Sequence, residues 1–290
     1  MPHLHRPRRR NKVPWWELAC VLALGDFHAR VWTLCENKAN SMLKQISAVL
    51  FFIPSLAFPQ IAEQFHPPKA NCCLQGTAQT LADQLQDWNQ LGRYHEDNEK
   101  LKSEPVAEGR VIFMGDSITD GWKLAQFFAG KPYVNRGIGG QTTPQMLVRM
   151  FPDVINLKPK VMILLAGTND IAGNTGPSTF KQITENMQAI TELAQAHGIK
   201  VILCSVMPIS DYTARKQSPK RPPADILKLN DWIRTYASKS GAIFADYFKA
   251  VVDDKGMLRD GFSRDGLHPN DKGYELLVPV AEEAIQKALR

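Results

Sequence analysis

This chain of 290 residues has few cysteines, few long apolar runs and a small net charge. The five cysteines form no C-x-x-C pair and no cluster with histidine at zinc-ligand spacing, so the sequence predicts no metal site. Cys204 ends an apolar segment, and we interpret it as a small buried side chain rather than a reactive thiol.

The positive charge is concentrated in the first part of the chain. Residues 1–41 hold seven Lys and Arg against three Asp and Glu, which accounts for +4 of the total net charge of +6. The remaining residues therefore carry only +2. A nucleic-acid-binding domain normally shows a clear basic excess, so the sequence argues against a nucleic-acid partner.

An apolar run from Ile46 to Phe58 follows Lys44 and is too short for a comfortable transmembrane helix. Ser55 and Ala57 then supply small residues at the −3 and −1 positions of a cleavage site. This layout predicts a signal peptide over residues 42–57. The expected protein is secreted or periplasmic and meets the membrane only before cleavage.

The residues on either side of this segment are harder to interpret. Signal peptides begin a protein, so we interpret residues 1–41 as a gene-model artefact, with translation starting at Met42. The alternative is a basic leader ahead of a membrane anchor. Residues 58–80 are rich in proline and polar side chains, which is typical of a flexible lead-in. Asn71 before Cys72 does not fit the small residue of a lipid-attachment site, which argues against a lipoprotein.

The rest of the chain predicts one α/β domain preceded by a helix. Leu81, Leu85, Trp88 and Leu91 have helical spacing, so we predict an amphipathic helix over 81–101, within a segment 81–104 packed on the core. In the domain 105–290, short apolar runs lie at 110–115, 132–135, 160–166, 199–206 and 242–245, and helical patterns at 144–157, 179–197, 224–239 and 271–289. Apolar strands that alternate with helices predict a parallel sheet covered on both faces.

Reactive residue types follow the predicted strands. Ser117 comes just after the first apolar run, a glycine-rich turn with Gly140 after the second, and Asn169 after the third. Asp265 and His268 precede the last helix. Ligands bind beyond the carboxyl ends of parallel strands, so these residues are expected at one edge. For Ser117 alone, a helix N-cap is an equally good interpretation.

Four motifs carry a resemblance to a known family: "GDSITDGW" (115–122), "NRGIGGQTT" (135–143), "GTND" (167–170) and "DGLHP" (265–269). In this order they resemble the SGNH (GDSL-type) hydrolase superfamily of esterases and lipases. The resemblance implies a flavodoxin-like three-layer α/β/α sandwich with a central parallel sheet of about five strands. It also implies a Ser117, His268 and Asp265 triad and an oxyanion hole formed by Ser117, Gly140 and Asn169.

The chemistry of these residue types agrees with those roles. A serine hydroxyl needs a base to accept its proton, and histidine ordinarily titrates near pH 6.5. Asp265 could orient the imidazole of His268 from three residues away. Taken singly, His268 could be a surface residue, Gly140 a turn and Asn169 a loop cap. We interpret the other two carboxylates of the motifs, Asp116 and Asp170, as structural.

The resulting expectation is a serine esterase that works through an acyl-enzyme without metal or cofactor. The substrate would be a small-molecule, carbohydrate or lipid ester, with short acyl groups such as acetyl on carbohydrate preferred because no long apolar lid is evident. A lysophospholipase, a thioesterase or an acyltransferase could use the same site, and a non-catalytic flavodoxin-like binding module is the alternative from another class. Trp122 is expected to pack in the core, Arg136 to be solvated, and residues 211–223 to form a long loop over the site. The sequence carries no signal for a particular oligomeric state.

Overall fold

The computed structural model describes residues 85–290, together with Ala78 and Ala82. The predicted signal peptide, the leader before it and nearly all of the predicted lead-in lie outside the described residues. Five parallel strands form one sheet: β1 (Val111–Gly115), β2 (Tyr133–Gly137), β3 (Val161–Leu165), β4 (Lys200–Cys204) and β5 (Ile243–Ala245). Their order across the sheet is β2-β1-β3-β4-β5, so β1 and β3 lie side by side at its centre.

Helices cover both faces of the sheet, which confirms the three-layer α/β/α prediction. They are α1 (His95–Ser103), α2 (Ser117–Asp120), α3 (Leu124–Phe127), α4 (Thr143–Val148), α5 (Met150–Asp153), α6 (Thr168–Ile171), α7 (Phe180–Ala196), α8 (Pro223–Ser240), α9 (Tyr247–Val251) and α10 (Asp271–Leu289). Side chains alternate along the strands between two cores. Ile112 and Met114 pack with α7 and α8, whereas Val111 and Phe113 pack with α10.

The ends of the long helices follow from local sequence. The Thr179 hydroxyl accepts the Gln182 amide N–H at 3.2 Å and begins α7. Pro223 occupies the first position of α8, where its missing N–H costs nothing. Asn270 accepts the Gly273 amide N–H at 3.1 Å and begins α10. These three helices therefore each begin at a residue type that favours a helix start. The helical pattern predicted over 144–157 is instead divided into α4, α5 and a 3₁₀ turn over Ile155–Leu157.

The prediction of one continuous helix over 81–101 is wrong in the part that the structure describes. The Asp87 carboxylate accepts the amide N–H groups of Leu91 and Gly92, both at 2.8 Å, and so starts a new turn there. A 3₁₀ turn follows over Leu91–Tyr94, and α1 begins only at His95. Because an acceptor side chain satisfies the free amides of a helix start, it favours a break at this point.

The predicted apolar face of that helix is also not buried. Leu85 is 84% exposed and Trp88 is 50% exposed. Contact with the core comes instead from α1, where Leu101 packs against it and Asn98 donates to the Asp153 carboxylate at 2.6 Å.

Arg136 is buried, contrary to the prediction of a solvated side chain. Only 3% of it is exposed. Its Nε donates to the Asn98 side chain at 3.0 Å and its Nη1 to the Asn135 carbonyl at 2.7 Å. The guanidinium also lies 4.5 Å from the Tyr94 ring centroid, a favourable cation–π arrangement. These partners compensate part of its burial, since Nη2 has no hydrogen-bond partner among the described residues.

Candidate active site

Ser117 lies at the sharp turn between β1 and α2. Strand β1 ends at Gly115, and Asp116 is the residue that caps α2, since its Oδ1 accepts the Ile118 amide N–H at 2.9 Å. Ser117 is the first residue of the helix. The alternative interpretation of Ser117 as the N-cap is therefore wrong, and its hydroxyl is free for another partner.

Helix α2 sits directly on the end of the sheet, which fixes the position of Ser117. A Cβ added at Gly137 would lie 2.1 Å from the Asp120 backbone nitrogen, so no side chain fits there. The Asn135 side chain donates to the carbonyls of Thr119 at 2.6 Å and Trp122 at 3.0 Å. Trp122 itself is buried, as predicted, and stacks on Tyr274 with centroids 5.3 Å apart.

The Ser117 hydroxyl meets His268, and His268 meets Asp265. Ser117 Oγ lies 2.8 Å from His268 Nε2, and His268 Nδ1 lies 2.7 Å from Asp265 Oδ2. With the proton on Nδ1, the imidazole donates to Asp265 and accepts from the Ser117 hydroxyl. The structure thus brings together three residues that are up to 151 positions apart in the chain.

Asp265 is held as a carboxylate by the loop that carries it. Burial raises its pKa, but the amide N–H and imidazole of His268 and the Leu267 amide N–H donate to it and together lower the pKa to about 2. The amide bonds measure 2.9 Å from His268 and 3.0 Å from Leu267. At neutral pH, Asp265 is therefore a charged acceptor in a fixed orientation toward the imidazole.

The loop after β4 touches the Asp265 loop on its other side. Gly266 has φ +80°, and a Cβ there would lie 2.3 Å from the Ser210 carbonyl oxygen, so the two loops approach closely through glycine. The Gln217 side chain donates to the Asp265 carbonyl at 2.8 Å. Gln217 lies in the predicted overhanging loop and is 2% exposed.

Asn169 is buried beside this loop at the start of α6. Its Nδ2 donates to the Gln141 carbonyl at 3.1 Å, and its Oδ1 accepts from Arg221 Nη2 at 3.1 Å. The Arg221 Nε donates to the Thr168 hydroxyl at 3.1 Å. Because a guanidinium can only donate, Arg221 fixes which end of the Asn169 amide is the oxygen.

Sequence reasoning missed Gln217 and Arg221 as parts of the site. They lie in a long segment rich in proline and basic residues, "DYTARKQSPKRPP" (211–223), in which no pattern distinguishes buried polar side chains from solvated ones. Both are nevertheless buried.

Gly140 lies on the neighbouring loop with φ +80°. Across the described residues, neither its amide N–H nor that of Ser117 is given a hydrogen-bond acceptor. The adjacent Gly139 comes close to the serine turn, the turn between β1 and α2 that carries Ser117, since a Cβ added at Gly139 would lie 3.8 Å from Ser117 Cβ. The glycine loop and the serine turn therefore face each other at short range.

The predicted residues are distributed over two cavities. Ser117, Asp265 and His268 line one of about 750 Å³. Gly140 lines a second of about 590 Å³, and Asn169 lines neither. These linings do not test whether Ser117, Gly140 and Asn169 act on one oxyanion, and that oxyanion hole stays a prediction.

The other two motif carboxylates have structural partners, as predicted. The Thr143 amide and hydroxyl donate to Asp170 at 3.0 and 2.6 Å, which ties the second and third motifs together. Burial raises the pKa of Asp170 against these hydrogen bonds. Burial likewise raises the pKa of Asp116, to about 6, in spite of the hydrogen bond from Ile118.

The described residues carry neither a metal-ion cluster nor a membrane-crossing helix. No group of three or more His, Cys, Asp or Glu in this described part is arranged to hold a metal ion. None of its helices is both long enough and apolar enough to cross a membrane. Cys204 is fully buried, as predicted, and burial raises its pKa to about 12.

Several curated proteins are similar to this chain in sequence. The lipoprotein YqeF of Bacillus subtilis is 28% identical over 59% of this chain and 88% of its own length. The α2 subunit of human platelet-activating factor acetylhydrolase IB is 25% identical over 63% of this chain and 78% of its own. The acetylxylan esterase of Xylanibacter ruminicola is 25% identical over 64% of this chain and 45% of its own.

Two solved structures are similar to this chain at higher sequence identity. A Bacteroides fragilis protein described as an acylhydrolase is 40% identical, with a TM-score of 0.66 over 70% of this chain and 99% of its own. A GDSL-like lipase from Bacteroides thetaiotaomicron is 38% identical, with a TM-score of 0.64 over 69% and 98%. The model of the GDSL-like lipase/acylhydrolase family matches residues 113–276. Because that match spans more than half of the sequence, the chain belongs to this family of SGNH hydrolases and is a hydrolase of ester bonds.

Proposed function

We propose that the protein is a serine esterase in which Ser117 is the nucleophile, His268 the general base and Asp265 the residue that orients the imidazole. The observation that carries the proposal is the continuous hydrogen-bond chain from Ser117 Oγ through His268 to Asp265, at 2.8 and 2.7 Å. Both distances lie within the range at which proton transfer can occur without rearrangement.

The reaction proceeds in two halves. Ser117 Oγ attacks the ester carbonyl carbon while its proton passes to His268 Nε2. The tetrahedral intermediate collapses, the C–O bond to the alcohol breaks, and His268 returns the proton to the departing oxygen. A water then attacks the acyl-enzyme in the same way, with His268 accepting its proton and giving it back to Ser117. The charged Asp265 stabilises the imidazolium that forms in each half.

The intermediate carries a negative oxygen, for which we assign three donors: the amide N–H groups of Ser117 and Gly140 and the side-chain Nδ2 of Asn169. The two amides have no other acceptor in the described structure, and that of Ser117 opens a helix, where the local field favours an anion. Asn169 Nδ2 has two N–H groups, and its bond to Gln141 uses one. Arg221 acts as a positioning residue that keeps Nδ2 from exchanging places with Oδ1.

The substrate in this proposal carries a short acyl group, such as acetyl, on a carbohydrate. Lys123, Arg264 and Lys272 line the cavity that contains Ser117, and a fatty acyl chain would need an apolar lining instead. The names of two relatives, an acetylxylan esterase and an acetylhydrolase, are consistent with acetyl transfer. A non-catalytic binding module is disfavoured, since ligand binding does not require an ordered Ser–His–Asp chain.

The proposal is tested by labelling with a fluorophosphonate and by turnover of p-nitrophenyl esters from acetate to decanoate. The protein should be labelled and hydrolyse acetate fastest, whereas Ser117→Ala should lose both properties. Ser103→Ala provides a serine control that should still be labelled, because Ser103 is exposed at the end of α1 and its hydroxyl donates only to the Lys100 carbonyl. Labelling of the Ser117→Ala protein would refute the nucleophile, and faster turnover of decanoate would refute the short acyl group.

We further propose that the protein is exported, to the periplasm or beyond the cell. The support is the arrangement of Lys44, the apolar run to Phe58 and the small residues Ser55 and Ala57. Fractionation of cells that express the full chain should place the protein outside the cytoplasm, with an N-terminal peptide starting near Phe58. Recovery of peptides from residues 1–41 in the mature protein would contradict this proposal.

A further inference from the structure

A second cavity of about 590 Å³ lies on the Gly140 side of the serine turn, whereas His268 lines the first cavity. Its volume falls within the usual range of about 300–1,000 Å³ for small-molecule sites. Its lining includes Trp88, Gln90, Asn174, Thr175 and Lys220. Gly139 also lines this cavity and approaches Ser117. The alcohol part of an ester whose carbonyl carbon is attacked by Ser117 could therefore extend into it.

The segment that carries Trp88 is attached to the same loop as Gly140. Gln145 Nε2 donates to the Trp88 carbonyl at 2.5 Å, and Gln141 Nε2 donates to the Asn89 carbonyl at 2.8 Å. The Tyr94 hydroxyl donates to the Gly137 carbonyl. The segment is therefore fixed relative to the oxyanion donors, although it precedes them by some fifty residues.

Other lining residues are fixed to the same loop. Asn174 Nδ2 donates to the Gly140 carbonyl at 3.0 Å, and the hydroxyls of Thr175 and Thr142 lie 2.9 Å apart. Two groups of lining residues are thus tied to the loop that carries Gly140, and a preorganised lining reduces the entropy cost of binding a ligand.

Trp88 lines the cavity and is not buried, although its backbone is held. Half of the residue is exposed. Its neighbour Gln90 has φ 57°, a left-handed conformation that costs stability in a residue other than glycine. Such conformations persist mainly where the surrounding structure and the function require them. Burial of Trp88 does not explain the conformation of Gln90, because Trp88 remains half exposed.

The chemistry of the cavity suits a sugar ring. A pyranose has an apolar C–H face that stacks on an aromatic ring and hydroxyl groups at its edge that need donors and acceptors. Trp88 supplies the ring, and Gln90, Asn174, Thr175 and Lys220 supply amide, hydroxyl and ammonium groups. Trp88 and Ala172 are the nonpolar side chains of the lining, so a hydrocarbon chain would leave polar groups unpaired.

We infer that this cavity is the subsite for the sugar alcohol of an O-acetylated carbohydrate, and that Trp88 stacks on the ring. The inference rests on the proposed esterase function, since it assigns the alcohol side of the same reaction. Trp88 and the segment 87–90 are then specificity determinants contributed by the chain that precedes the α/β domain.

The binding test uses the Ser117→Ala protein, which would keep the ester intact. Isothermal titration calorimetry measures the Kd of this protein for O-acetylated xylotriose and for O-acetylated cellotriose. The same measurement is made on variants that also carry Trp88→Phe, Trp88→Leu or Trp88→Ala. Loss of a ring-stacking contact should raise Kd about tenfold in Trp88→Ala and Trp88→Leu, whereas Trp88→Phe should stay within about threefold. Leu85→Ala is the matched control, since Leu85 is 84% exposed in the same segment and does not line the cavity.

The turnover test compares the acetylated trisaccharides with vinyl acetate, which has no sugar. Trp88→Ala should lower the ratio of the two kcat/KM values about tenfold, mainly through KM for the sugar ester. An unchanged ratio and unchanged Kd in Trp88→Ala, or tighter binding of a monoacyl lipid than of either sugar, would overturn the subsite. Absence of turnover on every ester by the native protein would instead refute the proposed function.

Discussion

Asp116 offers a test of how a buried charge is held next to the serine turn. The residue is 1% exposed, and although Oδ1 accepts the Ile118 amide N–H, Oδ2 has no hydrogen-bond partner in the described structure. Burial is the main reason that its pKa rises from 3.8 to about 6. The Asp116→Asn variant removes the charge and retains an oxygen that can cap α2.

The size and sign of the effect follow from the shift in pKa. At about 1.36 kcal/mol for each pKa unit, a rise from 3.8 to about 6 corresponds to about 3 kcal/mol. Between these pH values the folded protein keeps a proton that the unfolded chain has released. The free energy of unfolding therefore falls as pH rises through this window, and above about pH 6 the full cost is present.

Urea unfolding of the native protein and of Asp116→Asn at pH values from 4 to 8 measures this cost. Subtracting the two curves cancels the groups that titrate in both proteins. The variant should gain about 2.5 kcal/mol relative to the native protein between pH 4 and pH 8, because part of the total cost is already present at pH 4. Asp254→Asn removes a charge from an exposed position and controls for the change in net charge. A difference between Asp116→Asn and the native protein that stays constant with pH would refute the reasoning.

Four further predictions concern the candidate active site. His268→Ala should lower kcat by about 10⁴-fold or more with little change in Tm, and near-normal turnover would remove His268 from the mechanism. Asn169→Ala should lower kcat by about 10²–10³ with little change in KM. If Arg221 acts only by orienting that amide, Arg221→Ala should lower kcat in the native background but not in Asn169→Ala, and additive losses would show another role. Because the pKa of Asp265 is lowered to about 2, the stability that it contributes is present above about pH 4 and disappears as pH falls toward 2. The free energy of unfolding of Asp265→Asn in urea should therefore approach the native value at low pH, and a gap that widens there would contradict this.

The sheet and the contacts of Ser117 were largely predictable from sequence. Each strand is a nearly continuous apolar run because both of its faces are buried, and such runs are visible without a structure. Strand ends then place their loops at one edge, which is why Ser117 and His268 could be expected to meet. The four short motifs supplied the rest, since they occur in the order of a known family.

The predictions failed where burial depends on partners that are distant in the chain. Arg136 reads as a surface residue until Asn98 and the Tyr94 ring are placed beside it. The helix predicted over 81–101 has the correct spacing of apolar residues, but the Asp87 carboxylate competes for the amides of its next turn. Local periodicity describes neither effect, because each depends on a particular side-chain partner.

The loop between β4 and α8 has a consequence for engineering and for divergence within the family. Gln217 holds the chain at the Asp265 loop and Arg221 holds Asn169, only four residues apart. A designer who exchanged this loop to alter selectivity would therefore disturb the surroundings of both Asp265 and Asn169 in one step. A replacement loop that keeps Gln217 and Arg221 four residues apart could vary the residues between them. Natural lengthening before Gln217 would leave that spacing intact, but it would also have to preserve the Asp211 carboxylate, which accepts the amide N–H groups of Gln217 at 2.7 Å and Ser218 at 3.1 Å.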